Sequence, residues 1–145
     1  YIAAFYGNFS LLLRAYAYLL MLGKEGLKAT TDHAVLNANY IMRRLQPYYQ
    51  LCFDRLCMHE AVFSASIQAG RGVHAIDIAK FLIDRGIHPP TVYFPISVPE
   101  AVMIEPTETE SKQTMDAFID EMIAADALSK SDPGAFKDLP KTMPI

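Results

Sequence analysis

The hydrophobic positions of this chain change period along its length, and each change marks an element. Leu11 to Leu22 is apolar with Arg14 as its one charged interruption. Asn8 or Ser10 can cap a helix that starts there, and Gly23 is placed to end it. A helix apolar nearly all round needs cover on several sides, from a partner surface or from the core of this domain. Thr30-Thr31-Asp32 supplies cap residues for a second helix to about Leu45. Ala34, Ala38, Ile41, Met42 and Leu45 form its one apolar face, and Pro47 marks the exit. Asn37 and Asn39 are mediocre helix formers, read as solvent-exposed or holding one buried hydrogen bond. Arg43-Arg44 closes the helix as a solvated end where positive charge is favoured.

From His59 to Ile67 the period drops to two, with Ala61, Phe63, Ala65 and Ile67 on one side and Glu60, Val62, Ser64 and Ser66 on the other. That pattern predicts a half-buried strand. Gly70-Arg71-Gly72 breaks it. A short helix follows from about His74 to Arg85, burying Ile78, Phe81 and Leu82, and Gly86-Ile87 has the form of a left-handed C-cap with its hydrophobic follow-on. His88-Pro89-Pro90 leads extended into the next strand. Thr91–Phe94 and Ala101–Ile104 are short apolar runs bounded by prolines, which suits paired strands. Thr107-x-x-Glu110 then has the pattern of a capping box, ahead of Met115, Phe118, Ile119, Met122 and Ile123 at helical spacing. Ser129 to Ile145, with Pro133-Gly134, Pro140 and Pro144, reads as a loosely docked tail with one short helical turn at most. The order helix, helix, strand, helix, strand, strand, helix is that of an α+β domain: a small, mostly antiparallel sheet with helices over one face.

Composition narrows the class. The 145 residues are one domain's worth, and 52% hydrophobic with 20% charged residues describes a compact chain with a real core. A net charge of −3 gives no reason to expect nucleic acid or an anionic membrane as partner. The Leu11–Leu22 run is shorter than the roughly 20 residues that span a bilayer, and it lacks the layout of a cleaved signal peptide. Cys52 and Cys57 are the only cysteines, lack Cys-x-x-Cys spacing, and fit reduced thiols in a cytoplasmic setting. The chain begins at Tyr1 without an initiator Met and ends bluntly at Pro144-Ile145, so it reads as a piece of something longer.

Familiar chemistry is absent from the pattern. There is no Gly-x-Gly-x-x-Gly and no P-loop. His33, His59, His74 and His88 show no metal-ligand spacing, and no metal is expected. His59 and Glu60, adjacent in a predicted strand, should point to opposite faces and so cannot share an ion. Glu105, Glu108 and Glu110 could serve acid/base work or a hard cation; for the latter two, a helix N-terminus is the simpler reading. The residues taken alone point no further than a soluble α+β domain.

Seven blocks carry more. They are Gly7-Asn8-Phe9; Arg14-Ala15-Tyr16-Ala17-Tyr18; Val35-Leu36-Asn37-Ala38-Asn39-Tyr40; Met58-His59-Glu60; Asp77-Ile78-Ala79-Lys80; His88-Pro89-Pro90-Thr91-Val92-Tyr93-Phe94-Pro95; and Met103-Ile104-Glu105-Pro106-Thr107-Glu108-Thr109-Glu110-Ser111. In register from about Phe5 to Ile123, they resemble the C-terminal part of glycine dehydrogenase (decarboxylating), the P-protein of the glycine cleavage system. The His88–Pro99 stretch is similar to subunit 2 of the two-subunit form. Ser10 departs from the Gly usual after Gly-Asn-Phe, which puts local backbone geometry in question.

The resemblance implies an enzyme of the aspartate-aminotransferase type (fold type I), with pyridoxal phosphate held as a Schiff base on a lysine of the large domain. Glycine displaces that lysine, its carboxylate leaves as CO2 with the pyridinium ring as electron sink, and the aminomethyl group passes to lipoyl H-protein. None of Lys24, Lys28, Lys80, Lys112, Lys130, Lys137 or Lys141 sits in the family's cofactor-lysine context, so this segment alone is expected to be inactive and to bind no cofactor. The implied layout is a helical segment over 1–50 leading to a large domain outside this sequence, a small α+β domain over 51–128, and a tail over 129–145. Partners are then that large domain, the other P-protein subunit, H-protein and glycine. Asn8, His88, Thr91, Glu105 and Thr107, polar residues inside the matched blocks, are the substrate-side candidates; each has an alternative role in a cap, a turn or a strand-end hydrogen bond. A non-catalytic α+β module that docks a partner subunit is the alternative.

Overall fold

A computed structural model describes residues 7–141. Phe5, where the resemblance starts, and the Pro144-Ile145 end lie outside the described residues, as do the outermost parts of the 1–50 and 129–145 segments. The elements are α1 (Phe9–Leu45), β1 (Gln50–Leu51), β2 (Ala61–Ser64), α2 (Ser66–Ala69), α3 (Ala75–Asp84), β3 (Thr91–Val92), β4 (Ala101–Ile104) and α4 (Lys112–Ser131), then a 3-10 turn at Pro133–Phe136.

The two expected N-terminal helices are the two halves of α1. Asn8 caps it, its Oδ1 accepting from Ser10 N at 3.0 Å and from Ser10 Oγ at 2.6 Å. Ser10 is thus accommodated inside the first turn. Gly23 leaves the helical region at φ 61°, ψ −173°, as its position predicts, but helical residues resume directly after it, so the helix kinks there. Thr30-Thr31-Asp32 is therefore helix interior: Thr30 Oγ1 donates to Leu27 O at 2.8 Å instead of capping a new start. The C-terminal half buries Ala38, Ile41, Met42 and Leu45, the predicted face. Of the two expectations for the N-terminal half, cover from the core of this domain is not met. Phe9 is 76% exposed, Leu20 66% and Met21 74%, and Leu11, Leu12, Leu13, Tyr16 and Leu19 are also exposed.

All three strand pairings are antiparallel, in the order β1-β2-β4-β3. The register Leu51↔Phe63, Phe63↔Val102, Ala61↔Ile104 and Val92↔Val102 places these six residues on one face. That face joins Ile41, Met42 and Leu45 of α1, Ile78, Phe81 and Leu82 of α3, and Met115, Ile119 and Met122 of α4 in one core. Each fully buried large side chain there contributes about 1.5–3 kcal/mol. On the other face Gln50 and Thr91 are exposed and Val62 and Met103 half-buried, so the helices cover one side. The chain is α+β, as its periodicity predicts.

Several boundaries move. β1 was not foreseen. β2 stops at Ser64, not Ile67, because Ser64 Oγ donates to Pro99 O at 2.7 Å and accepts from Ser66 N at 3.2 Å, turning the chain into α2. Ile67 is consequently exposed. α3 matches its expected limits. Gly86 adopts φ 73°, its N–H donates to Ile83 O at 2.9 Å, and Ile87 N–H reaches Leu82 O at 3.0 Å. That is a Schellman ending. The helix cap expected at Thr107 lies at Ser111, whose Oγ accepts from Thr114 N at 3.0 Å. Thr107 and Glu110 close a turn instead, with Glu110 N donating to Thr107 O at 3.3 Å. No acidic residue falls in the first turn of α4, so Glu108 and Glu110 are not dipole partners of this helix. Among the described residues, 129–141 are not loosely docked. α4 runs on to Ser131, and Phe136 is buried with its ring 5.5 Å from that of Phe81.

Candidate functional site

Three connecting segments meet where β2 begins and β4 ends, and two asparagines of α1 hold two of them. Asn39 Nδ2 donates to Cys57 O at 2.7 Å and to Val35 O at 2.8 Å, while its Oδ1 accepts from Cys57 N at 3.1 Å. One side chain therefore satisfies both backbone groups of Cys57 and fixes the approach to β2. Asn37, also turned inward, donates from Nδ2 to Thr107 O at 3.0 Å and fixes the exit from β4. Tyr18 Oη donates to Glu108 Oε1 at 3.1 Å, tying the same turn to the N-terminal half of α1. That hydrogen bond to the carboxylate raises the Tyr18 pKa. The third segment, His88-Pro89-Pro90, enters directly from the Schellman ending of α3.

The exit from β4 and the His88-Pro89-Pro90 segment, with α1 and α4, wall a cavity of about 370 Å³. Ile41, Ile87, Ile104, Met115 and Phe118 give it an apolar lining, and His88, Glu105, Glu110 and Thr114 bring polar groups to it. A second cavity, of similar size, lies between Met42, Phe53, Leu56, Met58, Glu60 and Val62. Between the two sits a triad. His59 Nε2 is 3.0 Å from Glu60 Oε1 and 3.9 Å from Glu105 Oε1. The expectation that His59 and Glu60 diverge fails because β2 begins only at Ala61. Both precede the pleat, where the alternation of faces does not apply.

Of the five residues carried by the resemblance, the structure brings together His88 and Glu105, which line the first cavity. Thr107 follows the lining residue Pro106 in sequence but is not itself in the wall; its carbonyl accepts from Asn37, and its Oγ1 shares a hydrogen bond of 2.7 Å with Thr109 Oγ1. Thr91 stands apart on the exposed sheet face, paired with Met103. Asn8 caps α1. Sequence reasoning sets His59 and Glu60 on opposite faces and so rejects them as a pair, and it gives Asn39 less than it does. Nothing local marks the start of β2, because Ala61, Val62 and Phe63 are consecutive apolar residues. Cys52 and Cys57 are free thiols, and burial pushes both upward in pKa, holding them protonated at neutral pH.

Pyridoxal phosphate would need a lysine for its Schiff base and positive groups for its phosphate. Neither cavity has a lysine in its wall, and Glu105 and Glu110 in the first would repel a phosphate ester. Lys28, Lys112 and Lys130 are engaged with Asp32, Asp116 and Asp126. The described residues do not fit the cofactor by themselves. No helix among the described residues is long and apolar enough to cross a membrane.

Comparison with known proteins supplies the context of this geometry. The family model described as glycine dehydrogenase, C-terminal domain, matches residues 30–134. The probable glycine dehydrogenase (decarboxylating) subunit 2 of Bacillus cytotoxicus is 55% identical over 141 residues, 97% of this chain and 29% of that protein. Its counterpart in Bacillus velezensis is 56% identical over 138 residues, 95% of this chain and 28% of that protein. The counterpart in Bacillus thuringiensis is 54% identical, again over 97% of this chain and 29% of the relative. The chain thus spans under a third of the length of the curated relatives it matches. The segments that meet around His88 and Glu105 all lie within the matched residues, and by that match the chain belongs to the glycine dehydrogenase C-terminal domain family.

Proposed function

We propose that this chain serves as the small C-terminal domain of subunit 2 of a glycine decarboxylase of the aspartate-aminotransferase type. The observation that carries the reading is about 55% identity, over nearly the whole chain, to proteins whose names state that activity. In the complete enzyme pyridoxal phosphate, held by residues outside this sequence, supplies the electron sink for loss of CO2 from glycine. The aminomethyl group then passes to lipoyl H-protein. The divisions at 1–50, 51–128 and 129–145 and a cytoplasmic setting belong to the same proposal.

The chain's own part is to shape the substrate side. His88 and Glu105 are the contacts we assign there, because they bring an imidazole and a carboxyl group to one apolar cavity. Thr107, Thr91 and Asn8 act as positioning groups through their backbone and cap interactions. The exposed apolar face of α1 from Phe9 to Met21 supports docking on the large domain or on the other subunit, since a contiguous apolar patch on a soluble protein usually marks an interface. The same patch favours the second reading, a non-catalytic module that docks a partner subunit.

Borohydride trapping of pyridoxal phosphate on the complete natural polypeptide, followed by peptide mapping, separates the two. One labelled lysine outside residues 1–145 is the expected result. A label within these residues would overturn the assignment of the cofactor elsewhere, and no specific label would leave the docking module as the function.

A further inference from the structure

We propose that His59, Glu60 and Glu105 form a binding site for one divalent transition-metal ion of the zinc type, a role beyond the catalytic reading above that shares Glu105 with it. Ala61↔Ile104 is the last paired rung of β2 and β4, so Glu60 and Glu105 leave the sheet at the same end, just beyond the pleat. Two carboxylates held with ligand atoms within 4.8 Å of each other repel. His59 alone relieves half of this: its Nε2 lies 3.0 Å from Glu60 Oε1 but 3.9 Å from Glu105 Oε1, too far for a hydrogen bond. A cation at the centre answers both carboxylates.

The spacing suits such an ion. One ligand atom from each residue lies within 4.8 Å of the other two. Donors around an ion at about 2.0–2.2 Å stand roughly 3–3.6 Å apart, so the side chains, all partly or well exposed, need to close by an ångström or so. The mixed donor set selects the metal class. An imidazole with two carboxylates suits zinc and its first-row neighbours, whereas calcium asks for six to eight oxygens. The approach to the site is already ordered, because Asn39 clamps both backbone groups of Cys57, two residues before His59. Neither Cys52 nor Cys57 contributes a donor to the triad. A bound ion would fasten the start of β2 to the end of β4 and hold Glu105 in place at the wall it shares with His88.

Titration of the metal-free 145-residue chain with Zn2+ by calorimetry, and with Co2+ by visible absorption, tests the site. The expected result is saturable binding of one ion per chain, weakened at least about tenfold in H59A and in E105Q. The double variant C52S/C57S is expected to bind as tightly as the parent. Far-UV circular dichroism of each variant without metal should match the parent, since His59 and Glu105 are exposed. Absence of saturable binding would overturn the proposal. So would binding that persists in H59A and E105Q, or that disappears with the two thiols.

Discussion

Asp126 offers the sharpest test of how this fold is held together. Its carboxylate is only about 1% exposed and is shared by three donors. Gln68 Nε2 donates to Oδ1 at 2.7 Å, Arg71 Nη1 donates to Oδ1 at 3.0 Å, and Lys130 Nζ donates to Oδ2 at 2.6 Å. Arg71 also donates to Ser129 Oγ, and Gln68 to Tyr48 O, so the hub joins α2, the Gly70–Gly72 turn, α4 and the chain leading into β1. In Asp126→Ala the buried Gln68 amide loses a charged partner, costing about 1.5–3 kcal/mol. Arg71, still partly exposed, rehydrates and adds about 1 kcal/mol; the Lys130 pair, reaching well into solvent, adds a few tenths. A loss of about 3 kcal/mol is expected, a large share of a stability that for domains is typically about 5–15 kcal/mol. Urea unfolding followed at 222 nm would show it as a midpoint lowered by about 2 M at an unchanged slope. Lys130→Ala should cost less than about 0.5 kcal/mol. A loss under 1 kcal/mol in Asp126→Ala, or equal losses in the two variants, would refute this account of the hub.

The same group gives a pH signature. Burial pushes the Asp126 carboxyl upward, but hydrogen bonds from Lys130, Gln68 and Arg71 outweigh it and hold the pKa below the usual carboxylate range. A carboxyl depressed in the folded state stabilises above its unfolded pKa of about 3.9 and loses that contribution as pH falls through the folded value. The stability gap between the parent and Asp126→Asn should therefore be flat above about pH 5 and narrow below about pH 4. A gap that narrows near pH 6 instead would assign the linkage to another group.

Other substitutions address separate links. Asn39→Ala should cost about 2 kcal/mol, because it strips both backbone groups of the half-buried Cys57 of their partner; hydrogen exchange should show faster exchange at the Cys57 amide. Gly86→Ala places a side chain at φ 73°, and should cost about 1–2 kcal/mol, read as a melting temperature lower by roughly 3–6 °C. Leu12→Glu with Leu20→Glu, both on the exposed face of α1, should leave unfolding free energy within about 0.5 kcal/mol while reducing self-association in sedimentation velocity.

What could be read from the chain and what could not follow from where the deciding contacts lie. α3 was legible at both ends because its signals are local: the apolar face at Ile78, Phe81 and Leu82 is periodic, and a glycine with positive φ followed by an apolar residue is a complete C-cap. The buried face of the second half of α1 was legible for the same reason. Thr107-x-x-Glu110 is the more complete local pattern, since Ser111 has a threonine and not Glu or Gln three residues on. The choice is made 70 positions away, where Asn37 takes the Thr107 carbonyl and leaves that residue in a turn. Phe136 likewise sits among residues that signal a loop, and is buried where α3, with the ring of Phe81, and α4 receive it.

The family blocks bear on the site in the same way. The resemblance singled out polar residues inside those blocks without separating the ones that face a cavity from the ones that hold the backbone. The structure separates them through their partners. Asn8 is spent on the first turn of α1, and Thr91 lies on the uncovered face of the sheet. His88 and Glu105 alone among the five line the cavity. Asn37 and Asn39 sit two residues apart on one helix, reach different connections, and both connections lead to the corner that holds His59, Glu60 and Glu105. A helix interior is a costly place for asparagine, and here the cost is offset by backbone groups that no strand or helix satisfies. The residues that look weakest for secondary structure are thus the ones that place the candidate site.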